Sequence, residues 1–304
     1  MNTSPAPPPA NLSEYDRLTR PLPQLSPKRL YFGAARLLLT TAGRLSYGVR
    51  LGWRTGFDSG ETLDYVYANQ PKGITFLGRW LDRIYLNSIG WRGIRLRKIN
   101  LENTLLQAIE TLRGEGKPLR LLDIAAGPGR YILDALQKVS ATGVTALLRD
   151  REPRNLDAGR RLAQERGLRN VTYEAGDAFD RDSLANIQPR PTLAIVSGLY
   201  ELFPDNQLIA RSLAGLSEAL RDGGFLIYTN QPHHPQLEMI ARVLVNRDGK
   251  PWVMRCRPQA EMDSLVAAAG FEKLSTVSDP WGIFTVSLAR RRAGAGTASA
   301  ERSA

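Results

Sequence analysis

The sequence predicts an α/β protein: a doubly wound, mostly parallel seven-stranded sheet that ends in an antiparallel hairpin and carries a helical cap on its N-terminal side. Three observations lead there. From residue 118 short apolar runs alternate with segments of helical period, the pattern of a parallel sheet covered on both faces. The first run, LRLLDI, passes through the small-residue turn AAGPG into RYILDAL, and such a strand–turn–helix unit places a ligand loop at a switch point of the sheet. The last two runs, FEKLSTVS and WGIFTVSLAR, are joined by only a short Asp-Pro link, too short for a parallel crossover.

The remaining strands are VTALLR, VTYEA, TLAIVSG and GFLIYTN, and the helices between them are ILDALQKV, NLDAGRRLAQERG, QLIARSLAGLSEALRDGG, PQLEMIARVL and QAEMDSLVAAAG. Residues 113–289 therefore read as one domain. Ahead of it, residues 28–112 read as a helical cap for substrate recognition. KRLYFGAARLLLTTAGRL gathers Leu30, Ala34, Leu37, Leu38 and Leu45 near one face with Arg36 and Arg44 off it, and INLENTLLQAIETLRGEG ends in a glycine stop. The stretch between these helices is rich in Gly, Trp, Tyr and Arg and declares no element. Proline-rich residues 1–27 and the basic tail 290–304 are expected to be disordered.

The 304 residues, 42% hydrophobic and 23% charged, suffice for a sizeable core. The net charge of +11 divides into +7 over residues 1–110, +1 over 111–289 and +3 from 290 onward. The cationic cap, not the central domain, is thus suited to an acidic partner such as an anionic membrane surface, a nucleic acid or a phosphorylated substrate. The single Cys256 excludes an internal disulfide, and no Cys/His spacing resembles a metal site. With neither a bilayer-spanning run nor a secretory signal in view, a cytoplasmic location is expected, peripheral to the inner face of the membrane.

The AAGPG turn narrows the ligand. A dinucleotide loop wants G-x-G-x-x-G, but here Ala125, Gly127 and Gly129 are followed by Tyr131 where a third small residue should pack helix on strand. Asp123, closing the strand, would repel a pyrophosphate and attract a cationic group. A ligand with an amino acid end is favoured.

Strand-D-x-A-A-G-x-G-helix resembles the first motif of class I S-adenosylmethionine-dependent methyltransferases, and the likeness runs from about residue 118 to 289. DIAAGPGRY, SGLYELFPDN and NQPHHPQLEMIARVL, preceded by the Trp/Arg-rich helical segment, further resemble a bacterial methyltransferase family that sometimes occurs joined to an α/β-hydrolase unit; no G-x-S-x-G elbow occurs here. The resemblance implies a Rossmann-like methyltransferase fold with S-adenosyl-L-methionine as cofactor. It implies that Ala125, Gly127 and Gly129 wrap the methionine part, with Asp123 steering its ammonium group. It gives Asp150 the ribose hydroxyls, with Glu152 as a substitute, and Asp177 and Ala178 the adenine; Ser197 at the fourth strand end joins this set. Ala125 stands where the usual motif has its first glycine. The family's setting implies lipid metabolism.

For the acceptor, the [DN]-P-P-[YF] stretch of amino-directed nucleic acid enzymes is replaced by SGLYELFPDN, and Cys256 lies too far downstream to be a cytosine-type nucleophile. A metal cluster of the catechol-directed kind is not recognisable at Ser197 to Glu201. These readings favour metal-free methyl transfer to a small-molecule or lipid-like acceptor, at oxygen. His234 is the first choice of general base, with His233, Tyr200 and Glu201 as further catalytic candidates and Asn230 and Gln231 as acceptor contacts. Trp91, Arg92 and Arg95, with Arg97, Lys98, Trp53 and Tyr65, would form a lid that binds a phosphate-bearing acceptor; the alternative places these aromatics in the cap's core. An RNA methyltransferase using the basic cap, and a non-catalytic subunit of the same fold, are the rival functions.

Overall fold

A computed structural model describes residues 10–139 and 143–294. Six helices come first: α1 (Ala10–Thr19), α2 (Pro27–Thr40), α3 (Tyr47–Thr55), α4 (Gly60–Ala68), α5 (Phe76–Leu86) and the long α6 (Ile89–Gly114). The α/β part then runs β1 (Leu119–Asp123), α7 (Arg130–Lys138), β2 (Val144–Asp150), α8 (Pro153–Glu165), β3 (Val171–Ala175), α9 (Arg181–Ala185), β4 (Leu193–Val196), α10 (Asn206–Ala219), β5 (Phe225–Asn230), α11 (Leu237–Val243), α12 (Gln259–Ala268), β6 (Phe271–Ser278) and β7 (Thr285–Arg291).

All seven expected strands join one sheet, in the order β3-β2-β1-β4-β5-β7-β6. The first five are parallel, and β7 runs antiparallel between β5 and the edge strand β6. Side chains alternate across the sheet: Leu121, Ile195 and Ile227 pack with α6, α7 and α8 on one face, while Leu122, Ala194 and Leu226 pack with α9, α10 and α12 on the other. The strand order reverses between β1 and β4, so the carboxyl ends of those strands open the crevice where ligands bind.

The segment with no expected element folds as α3, α4, α5 and the start of α6. Buried Asp82 ties it together. Its carboxylate accepts from Ser46 Oγ at 2.5 Å, from the Gly48 amide at 2.8 Å, from the Lys72 amide at 2.9 Å and from the Tyr65 hydroxyl, so one acid fixes α3, α4 and the loop before α5. The cap is not a separate domain. In α6, Trp91 and Ile94 belong to the cap's core with Trp252 and Phe284, whereas Leu101, Leu105, Ala108, Ile109 and Leu112 cover the sheet.

Two expectations are corrected at the ends. Residues 10–27 are not a loose arm: α1 buries Leu18, and Arg242 on α11 donates to the Arg20 and Arg17 carbonyls at 2.5 and 3.0 Å. The expected tail begins too early, because Arg290 and Arg291 are strand residues, with Arg290 paired to Glu115 at 2.7 Å. Residues 1–9 and 295–304 lie outside the described residues. On α2, the apolar face expected to pack inward points to water instead; Leu30, Leu37 and Leu38 are all exposed, and the half-buried side meets α11.

Candidate active site

The AAGPG turn is held open by hydrogen bonds to its own backbone. The Ala126 amide donates to the Arg149 carbonyl and the Gly129 amide to the Ala126 carbonyl, both at 2.9 Å, and the Gly127 amide donates to Asp150 Oδ2 at 2.8 Å. Gly127 and Gly129 have φ of 56° and 74°, the left-handed region open to glycine at little cost. At Gly129 a Cβ would also stand 2.5 Å from Leu148 Cδ1. Ala125, Gly127, Gly129, Asp150 and Ser197 line one cleft with Asn155 and Gly198. Ser197 Oγ is buried there with no partner, a polar group suited to a ligand that can hydrogen-bond.

Other members of the expected cofactor set lie elsewhere. Asp123 is fully buried beneath the turn, where it accepts from the Ala125 amide at 3.0 Å and from the Tyr131 hydroxyl; it shapes the loop and does not line the cleft. Burial pushes its carboxyl up to about 7. Asp177 is exposed and caps its own turn through the Phe179 amide at 2.9 Å, Ala178 packs into the core, and neither lines the cleft. Glu152 begins α8 by its backbone, with its amide donating to Asp150 Oδ1 at 2.8 Å.

A second cavity, of about 390 Å³, runs beside the first. Its walls are mostly apolar, among them Leu39, Val49, Trp91, Ile94, Met239 and Phe284. Its polar lining includes Arg97, Glu201, Gln231 and His234, with Ser46, Asp58, Ser88 and Gln236. Asp58, Leu63, Arg97 and Gly198 line both spaces, so the two meet there. Gly198 has φ of 70°, and a Cβ on it would approach Arg97 Nη2 to 3.0 Å; any side chain would obstruct the junction.

Arg97 and Glu201 form a buried ion pair with Nη1 to Oε1 at 3.0 Å. Arg97 also donates to the Tyr67 hydroxyl at 3.3 Å and lies over the Phe284 ring. Glu201 Oε2 is buried without a partner. A carboxylate oxygen in that state calls for a donor.

His234, which also lines the cavity, is poorly arranged as a base. Its Nδ1 accepts from the Gln236 amide at 3.1 Å, which leaves the proton on Nε2. Burial, with the neighbouring His233 charge, lowers its pKa to about 4. The group is a neutral donor, not a proton acceptor. His233 is exposed and away from the cavity, and Tyr200 is buried with its hydroxyl 2.9 Å from Ser212 Oγ. Gln231 and Trp91 do line the cavity, whereas Asn230 is occupied by the Arg257 carbonyl at 2.9 Å. The expected phosphate cluster does not form. Arg92 lies over Trp281, Arg95 donates to the Leu86 carbonyl at 2.7 Å, and Lys98 bridges Glu102 and Asp134. Tyr65 serves Asp82, and Trp53 packs on Phe57. Burial pushes the Cys256 thiol up to about 12, so it stays protonated.

A sequence profile for the family described as "Putative methyltransferase" matches residues 8–291. The chain belongs to this family. The fold agrees: a possible exported protein from Bordetella parapertussis is similar at 18% identity and TM-score 0.65, over 93% of this chain and 96% of that one. The magnesium protoporphyrin IX methyltransferase from Synechocystis PCC 6803, solved with bound S-adenosylhomocysteine, is similar at 14% identity and TM-score 0.53, over 78% and 97%. Among curated sequences, the uncharacterized protein YnbC of Escherichia coli K12 is 54% identical over 274 residues, which is 90% of this chain and 46% of that protein; the chain spans less than half the length of this relative. The methyl donor of this family and fold is S-adenosylmethionine. Ala125, Gly127, Gly129, Asp150 and the unpartnered Ser197 hydroxyl line one cleft, and Asp177 is not part of its lining. Among the described residues no cluster of metal-ligating side chains occurs, and no helix is long and apolar enough to cross a membrane.

Two further parts of the site carry no clear signal in the sequence. Arg255 and Arg257 are both buried; Arg257 donates to the Tyr200 and Phe203 carbonyls at 3.1 and 3.0 Å, and Arg255 to the Pro204 carbonyl at 2.9 Å. They fasten the loop that carries Glu201. From the cap, Asp64 pairs with Arg130 at the start of α7, and Asp58 accepts from the Arg247 amide at 2.6 Å, which holds α4 over the cofactor turn. The adjacent basic residues in MRCRP were the only signal, and nothing local distinguishes buried arginines from exposed ones.

Proposed function

We propose that the protein transfers a methyl group from S-adenosylmethionine to the hydroxyl oxygen of a lipid-like acceptor whose apolar body fills the larger cavity. The observation that carries this reading is the unpartnered, buried Glu201 Oε2 in a mostly apolar space that joins the cofactor cleft. Ala125, Gly127, Gly129, Asp150 and Ser197 would hold the donor, which supplies an electrophilic methyl group on a sulfonium. Glu201 would accept the hydroxyl hydrogen bond and take the proton as the oxygen–carbon bond forms and the methyl–sulfur bond breaks, so the proton ends on Oε2 and a neutral thioether leaves. Arg97 keeps the carboxylate in place. Trp91, Ile94 and Phe284 exclude water, and the Nε2–H of His234 orients a second oxygen of the acceptor. Asp123 acts through the turn as a positioning residue.

A series of hydroxylated amphiphiles that differ only in alkyl length tests this. Each methylene moved from water into the cavity is worth about 0.8 kcal/mol, so KM should fall about 4-fold per carbon until the cavity is full. A KM independent of chain length contradicts the reading.

A further inference from the structure

The lipid-like acceptor needs a way in, and the mouth of the cavity lies where the protein is unusually apolar. Leu38 of α2 and Ile84 of α5 line the cavity beside Leu39 and Leu81 and are also exposed, so the cavity opens between these helices. Around it the two helices turn large apolar side chains to water: Leu30, Leu37 and Leu38 on α2, and Phe76, Trp80 and Ile84 on α5, with Phe76 at 82% and Trp80 at 53% exposure. The two helices are joined at close range, because the turn Ala42–Leu45 packs on α5 so tightly that a Cβ on Gly78 would stand 2.6 Å from the Leu45 carbonyl. The result is one apron that surrounds an opening. Isolated exposed apolar residues need no explanation, but a contiguous patch does.

Charge selects what covers it. Every exposed charged residue on α2, on the following turn and on α5 is cationic: Lys28, Arg29, Arg36, Arg44, Arg79 and Arg83. Arg44, Arg79 and Arg83 enter no ion pair among the described residues, and the one acid on these segments, Asp82, is buried. Apolar faces bordered by arginines suit the interface of an anionic bilayer, with the side chains in the acyl boundary and the guanidinium groups among the phosphates.

We propose that α2 and α5 dock this protein on an anionic phospholipid bilayer, with the cavity mouth facing the lipid, so that an acceptor passes from the membrane to Glu201 without crossing water. This rests on the lipid-like acceptor proposed above, but its test does not require turnover. The full-length protein is sedimented with vesicles of phosphatidylcholine, with and without phosphatidylglycerol, beside the exposed-site variants Phe76→Ser/Trp80→Ser and Arg79→Glu/Arg83→Glu. Wild type should bind the phosphatidylglycerol vesicles. Each pair of substitutions should weaken that binding by at least about 10-fold, with affinity for S-adenosylmethionine unchanged because these residues lie outside its cleft. Should a variant fail to fold, quenching of wild-type tryptophan fluorescence by vesicles with brominated acyl chains gives the same answer. No vesicle binding by wild type, no quenching, binding indifferent to both pairs, or a wild-type dimer that Phe76→Ser/Trp80→Ser separates would each overturn the docking surface. Turnover of a monomeric amphiphile without vesicle binding would overturn it and leave the acceptor reading standing; vesicle binding without turnover of any hydroxylated amphiphile would sink the acceptor reading alone.

Discussion

Arg97 and Glu201 stand 104 residues apart in sequence, yet their side chains pair at 3.0 Å with 2% and 4% exposure, at the point where the donor cleft and the acceptor cavity meet. The pair brings the cap and the tip of β4 into one site. Glu201→Gln keeps the shape and a hydrogen bond to Arg97 but cannot take a proton. Turnover should fall by about 10²–10⁴-fold, with affinity for S-adenosylmethionine within a few-fold of wild type by calorimetry. Arg97→Met should behave differently: it strands a buried carboxylate and should cost about 3–5 kcal/mol of stability in urea unfolding.

His234 is held neutral by burial, with a pKa of about 4. The pH–rate profile should therefore show no inflection from this residue between pH 5 and 8. His234→Asn, whose amide oxygen can still accept from the Gln236 amide, should retain turnover within about 10-fold and raise KM. An inflection near pH 6.5 that disappears in the variant would restore the histidine as base.

The Asp123 carboxyl ionises at about 7 in the folded protein because burial opposes its charge, although the Tyr131 hydroxyl and Ala125 amide favour it. The unfolded chain releases this proton near pH 4 and the folded one keeps it until about 7. The folded state then binds more protons across that window, so its stability falls as pH rises through it and levels off above. Between pH 5 and 8 the loss should be about 2–3 kcal/mol in urea melts, and Asp123→Asn should abolish it. Equal pH dependence in the two proteins would show that the buried acid is not ionising there.

Arg257 donates to the Tyr200 and Phe203 carbonyls at 3.1 and 3.0 Å. Arg257→Met should destabilise by about 1–3 kcal/mol, since the Phe203 carbonyl loses its donor and the buried Tyr200 carbonyl one of two, and it should lower turnover through the freed Glu201 loop. Met239→Trp acts from the opposite side. It narrows the acceptor cavity far from the donor cleft, so KM for long amphiphiles should rise while donor affinity stays put.

Most of the sheet could be read in advance because parallel strands buried on both faces leave short apolar runs such as TLAIVSG, and a tight turn leaves its glycines. The cofactor turn was legible for the same local reason. The cap was not. Its helices α3 to α5 depend on Asp82, whose four donors lie up to 36 residues away in sequence, and no window of sequence contains such a hub. The acids showed the same limit: Asp150 lines the cleft, whereas Asp123 lies buried beneath the turn and Asp177 caps its own loop. Strand ends give position, but side-chain direction depends on partners such as Tyr131 that only the fold supplies. Likewise α2 displayed its apolar stripe plainly, and only the structure shows that stripe facing water.

The chemistry of the site rests on methyl transfer to an apolar acceptor with Glu201 as the base. It is tested most directly by incubating the protein with donor labelled in the methyl group and a cell extract, then partitioning the products between organic and aqueous phases. Label should enter the organic phase with wild type and almost none should do so with Glu201→Gln. Label confined to RNA or protein, or organic-phase label undiminished in that variant, would contradict it.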